Sequence, residues 1–244
     1  MRIVSMNRMI QPALVLAALA FVAAPALTPP FTGYDPGLFP VRIERPSIQP
    51  AGYAFAIWGL IYVWLLVHAG FCLLRRRGDR AFLQVALPLL LASVLGAVWL
   101  AIAASMPLLA EVAILLMAGF ALTAYLRADP VQDRWLLAAP TAIFAGWLTA
   151  ASAVSTGVLL AGYGVFSDTV SALMMLALVL GVAVMVQIRR PTMPVYGATV
   201  VWAIVGVIVA NWGANATVAY AAVAGAAIMA MATVATLLRQ SRTH

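Results

Sequence analysis

Phe55, Trp58 and Tyr62 stand at i, i+3 and i+7 and so share one face of a helix. Trp64 and His68, four residues apart, share a neighbouring face. Rings gathered on one face can line a cavity for a flat, apolar ligand, and an indole N–H can orient a polar substituent on it. Trp99, Trp147, Trp202 and Trp212 supply further indoles in or beside apolar stretches. The competing reading of any one tryptophan is packing at the lipid interface, where the residue is enriched. His68 reads first as an interhelical hydrogen-bond donor and second as a haem ligand. The other histidine, His244, is the last residue, which excludes a bis-histidine haem within the apolar region.

Candidate groups for acid–base or metal chemistry are sparse. Glu111 and Asp168 each lie near the start of an apolar stretch and read as first-turn acids favoured by the helix dipole. No paired carboxylates, metal-ligand spacing or nucleophile–base set is visible, so neither an enzyme nor a bound cofactor or metal is expected. All fourteen basic residues are arginine. Without lysine there is no retinal Schiff base, no pyridoxal phosphate attachment and no phosphate-binding loop of the usual kind. A single cysteine, Cys72, permits no internal disulfide.

The elements that must position these residues are spans. Of 244 residues 65% are hydrophobic and 9% charged, whereas a soluble domain carries about 25% charged residues. The expected fold is all-α, a polytopic membrane helix bundle. Eight apolar stretches run approximately Ile10–Leu27, Ala51–Leu74, Ala81–Ala104, Pro107–Leu126, Trp135–Gly162, Thr169–Ile188, Val195–Asn211 and Thr217–Leu238. The longest connection, Thr28 to Pro50, is rich in proline, glycine and aromatics. Twelve arginines fall at the termini and in the even-numbered connections, and only Arg42 and Arg45 on the opposite side. That bias predicts both termini in the cytoplasm and explains the +7 net charge without nucleic acid as a partner. Met1 to Arg8, the apolar run and Ala23-Ala24-Pro25-Ala26 also have the form of a signal peptide, whose cleavage would leave seven spans. Pro50 precedes Trp58 by eight residues and Pro194 precedes Trp202 by eight; the segments share little else, and the spacing reads as coincidence.

Pro50, Tyr53, Phe55, Trp58 and Tyr62 match in kind and order the second-helix signature of the translocator protein family, or tryptophan-rich sensory proteins (TspO/MBR), which the segment resembles. It departs by one residue between Phe55 and Trp58, and Ala51 stands where the family has a second proline. Pro140, Phe144, Trp147 and Thr149 resemble the family's fifth-helix run, with Ser152 near its usual asparagine. The resemblance covers residues 10–162 and leaves the last three spans outside it, as in longer, divergent bacterial members.

The resemblance implies a TspO-like five-helix part over 1–162, with three additional helices over 163–244, in one membrane domain. It implies a pocket under the 28–50 connection, a tetrapyrrole, sterol or similar ligand, and a homodimer. The expected ligand contacts are Tyr53, Phe55, Trp58, Tyr62, Trp147 and His68. The expected function is a binding protein or sensor for a planar hydrophobic ligand, the expected surroundings a bacterial inner membrane. The alternative is a small-molecule transporter; a ligand-free membrane subunit and an enzyme stand behind it.

Overall fold

The computed structural model describes residues 2–29 and 31–241, and the side chains of 9–29 and 31–239. The side chains of Arg2 and Arg8, and Arg242 and His244 entirely, lie outside the described residues. Eight helices follow one another: α1 (Arg2–Leu27), α2 (Ile57–Arg75), α3 (Arg80–Ala103), α4 (Pro107–Arg127), α5 (Ala138–Gly162), α6 (Asp168–Arg189), α7 (Pro194–Asn211) and α8 (Ala216–Ser241). Each carries a stretch long and apolar enough to cross a membrane. Among the described residues there is no strand.

Local chemistry sets the helix starts. Pro107 and Pro194 open α4 and α7, where a missing N–H costs nothing. Asp79 caps α3 by accepting from the Ala81 N–H at 2.9 Å, and Ser167 caps α6 by accepting from Val170 at 3.3 Å. Besides α1, which begins at Arg2 rather than Ile10, two starts differ from the sequence expectation. Residues Gly52–Ala56 form a 3₁₀ turn before α2, because the Ala51 N–H is drawn to the Gly206 carbonyl of α7 at 2.9 Å. α5 starts at Ala138 rather than Trp135. Pro140 has no N–H to offer the Leu136 carbonyl four residues back, and the Ala139 N–H bonds Arg134 instead, at 2.9 Å.

Two freed carbonyls result, and α2 takes both. Trp64 donates its indole N–H to Trp135 at 2.8 Å, and His68 donates from Nδ1 to Leu136 at 2.6 Å. Around them the arginine-rich face is knitted together. Arg76 forms a two-pronged pair with Asp133 at 2.6 and 3.1 Å, which raises the guanidinium pKa above its ordinary value. Arg134 donates to the Thr192 carbonyl and Arg190 to that of Ala128.

The helices form two rings of neighbours. α1, α2, α5, α4 and α3 touch in that order and close on themselves; α5, α6, α8 and α7 close a second ring. α5 belongs to both. It is accordingly the most enclosed element, with 72% of its most apolar stretch buried against 22% in α8. Small residues permit this approach: a Cβ on Gly146 would come within 2.8 Å of the Tyr196 carbonyl, and one on Gly157 within 3.0 Å of Ile48. In lipid such close packing, rather than a hydrophobic force between helices, drives association.

The 28–50 connection lies across the end of α5 opposite the arginine-rich face. Tyr34 shares a 2.8 Å hydrogen bond with Ser155, and the Val41 N–H donates to Gly162 at 2.9 Å. Ser47 anchors the other end: its N–H and hydroxyl donate to Asp168 at 2.9 and 2.5 Å, and Asn211 donates to its carbonyl at 2.7 Å.

Candidate functional site

Trp58 and Tyr62, one turn apart on α2, stack with ring centroids 5.4 Å apart and planes at 20°. Trp147 of α5 stands edge-on to Trp58 at 6.0 Å and to Phe55 at 5.9 Å. Phe21 of α1 closes the group, 5.7 Å from Trp58 and 5.1 Å from Tyr62. Edge-to-face and offset pairs of this kind are the favoured aromatic arrangements. Inside the first ring of helices these rings enclose a cavity of about 200 Å³, lined also by Phe31, Trp99 and Gly96. A lobe of about 60 Å³ shares Phe31, Phe55, Trp99 and Trp147 as walls and reaches Tyr34, Gln49, Pro50 and Ser155 beneath the connection.

The walls are nearly all carbon. Trp99 spends its N–H on the Ala110 carbonyl at 2.9 Å. Trp147 is 2% exposed, and its Nε1 is buried with no hydrogen-bond partner among the described residues. An unpaired buried donor costs about 1–3 kcal/mol. Where the lobe meets the connection, burial pushes the Tyr34 phenol up to about 12 against the lowering effect of its bond to Ser155.

Four of the six expected contacts therefore meet: Phe55, Trp58, Tyr62 and Trp147 line one cavity. Tyr53 does not join them. It is 44% exposed and stands edge-on to Trp202 of α7 at 5.6 Å. His68 lies at the arginine-rich end of α2, stacked on Phe82 at 5.7 Å and bonded to Leu136, outside the cavity lining. Because a carbonyl only accepts, Nδ1 carries the proton, and Nε2 is left buried without a partner among the described residues.

One of the two acids also differs from expectation. Glu111 lies beyond the first turn of α4 and accepts from Thr156 of α5 at 2.6 Å. Asp168 is a first-turn acid, as its position implies, and it also holds Ser47. The Pro50 and Pro194 segments are in contact: Trp202 donates to the Ala54 carbonyl at 2.9 Å. Trp212 is 68% exposed at the end of α7.

Sequence reasoning missed Phe21 and Gly96. Phe21 is the one aromatic residue of α1, a weak signal that was present. Gly96 is legible only in space, since a Cβ there would overlap the Phe21 ring.

Fold and site together define an integral membrane helix bundle with an aromatic-lined cavity inside it. The chain belongs to the TSPO-like family: the family model described as TSPO-like protein matches residues 10–235. The match runs through α6, α7 and into α8, beyond the 10–162 segment that carries the motifs. No curated protein and no solved structure matches the chain.

Proposed function

We propose that the protein is a binding protein or sensor for a planar, apolar ligand held between α2 and α5 in the TspO-like five-helix part. One observation carries the reading: a cavity of about 200 Å³ walled by rings and aliphatic carbon, with Trp147, whose N–H has no partner among the described residues, in its lining. A dry apolar cavity of about 150 Å³ takes up benzene, so about 200 Å³ suits one or two fused rings bearing a hydrogen-bond acceptor. Pockets for larger molecules run to about 300–1,000 Å³. A tetrapyrrole would therefore need the 31–49 segment to lift from Ser155 and Gly162. The arginine bias supports a bacterial inner membrane with that segment on the outer side.

The test is a titration of the solubilised chain with 2-naphthol and with protoporphyrin, followed by tryptophan quenching. Saturable binding that weakens about tenfold in Trp58→Ala, with the thermal transition retained, supports the reading. Loss of binding only in parallel with unfolding would mean that Trp58 merely packs. Uptake into sealed vesicles separates the transporter alternative, which requires flux and not saturable binding alone.

A further inference from the structure

A second cavity, about 600 Å³ and polar, lies beside the first on the same face. Its walls come from the connection (Glu44, Arg45, Ser47, Gln49) and from the second ring of helices (Asp168 of α6, Asn211 of α7 and Asn215 before α8). Gln49 and Pro50 line both this vestibule and the lobe of the aromatic cavity. They are the partition. The Gln49 side chain is held in place by donating Nε2 to the Thr32 carbonyl at 2.8 Å and by resting on Gly33, whose φ of +133° and lack of a Cβ leave room for it.

We infer that vestibule and aromatic cavity form one bipartite site, for a ligand whose flat apolar rings occupy the cavity and whose anionic arm crosses beside Gln49 to reach Arg45. This rests on the binding reading above and adds the charge of the ligand to it. Glu44 is paired with Arg42 at 2.8 Å, which offsets its charge, and Asp168, whose charge the bonds to Ser47 leave in place, has both oxygens engaged. Asn211 and Asn215 use their amide N–H groups on Ser47, and Asn215 also on Thr169 at 2.9 Å. Arg45 is the charged group of that lining with no partner among the described residues. A guanidinium takes a carboxylate or phosphate in a fork of parallel hydrogen bonds. The amide of Gln49, swung away from Thr32, can line the path with a donor. The last three helices thereby acquire a part in recognition, since without them the vestibule has no floor.

The test uses the full chain in nanodiscs and three probes: 4-(2-naphthyl)butanoate, its methyl ester, and the corresponding primary amine. The carboxylate should bind about fivefold more tightly than the ester, the scale of one partly screened ion pair. In Arg45→Gln that preference should disappear while ester affinity stays constant; Arg45 is exposed, so the variant folds. Equal affinity for acid and ester, a preference that survives Arg45→Gln, or tightest binding of the amine each overturns the bipartite site. If the ester binds in a Trp58-dependent way without any preference for the acid, only this inference fails. If none of the three binds folded protein, the binding reading fails with it.

Discussion

The His68 imidazole of α2 donates to the carbonyl of Leu136, the acceptor that Pro140 leaves without a backbone donor at the start of α5. A side chain in one helix thus completes the hydrogen bonding of another, sixty-eight residues away in sequence. In lipid such a repair matters, because no water reaches a stranded carbonyl.

His68→Ala should therefore lower stability by about 1–3 kcal/mol, the cost of one unsatisfied buried acceptor, while ligand affinity stays the same. The sharper check is a double-mutant cycle. Pro140→Ala returns an N–H to Leu136, so the cost of His68→Ala should shrink in that background. An unchanged cost would mean that His68 acts through its stacking on Phe82 alone.

Trp147→Phe should separate binding from folding. The variant keeps a ring in the wall and removes a buried donor that has no partner among the described residues. Its Tm should stay within about 2 °C of the parent, a change of about 1 kcal/mol or less at this size. Affinity for 2-naphthol should fall about fivefold, while naphthalene, which has no acceptor, should bind as before. Calorimetric titration of both compounds decides it.

Gly96→Ala should occlude the cavity, because the added carbon occupies the space of the Phe21 ring. Overpacking of this kind costs about 1–3 kcal/mol, and binding should be lost. Phe21→Leu in the same chain should restore part of both, which a simple helix defect in α3 would not allow.

The bond that ties the connection to α5 has a pH signature. Tyr34 titrates from about 12 in the folded chain against 10.0 unfolded, so the native state holds its proton more tightly. The stabilisation is complete below pH 10 and is lost as pH rises from 10 towards 12. Denaturation followed across that window should show a shallower loss in Tyr34→Phe than in the parent. Below pH 9 the two should differ by a constant amount set by the Ser155 hydrogen bond.

Periodicity and hydropathy made the spans legible, since eight apolar runs separated by arginine and proline leave little else to build. They also exposed the Phe55, Trp58 and Tyr62 group, because its spacing is a property of one segment. Tyr53 was misplaced for a tertiary reason. The Ala51 N–H binds α7 and Trp202 takes the Ala54 carbonyl, so this stretch winds as a 3₁₀ turn and Tyr53 faces outward. His68 carried the right property, a donor within a span, but its acceptor was freed by a proline in another helix. Gln49 and Arg45 gave no local signal at all, because the cavities they line form only after the connection has folded over α5.

The double membership of α5 has a mechanical consequence. A helix bordered by lipid can tilt or slide at little cost, but α5 is clamped on every side, with Gly146 against the Tyr196 backbone and Gly157 against Ile48. The wall that carries Trp147 is therefore stiff. On the binding reading proposed above, size discrimination would fall to that rigid wall and compliance to the segment above it, so that a ligand would be measured by one part of the molecule and admitted by another.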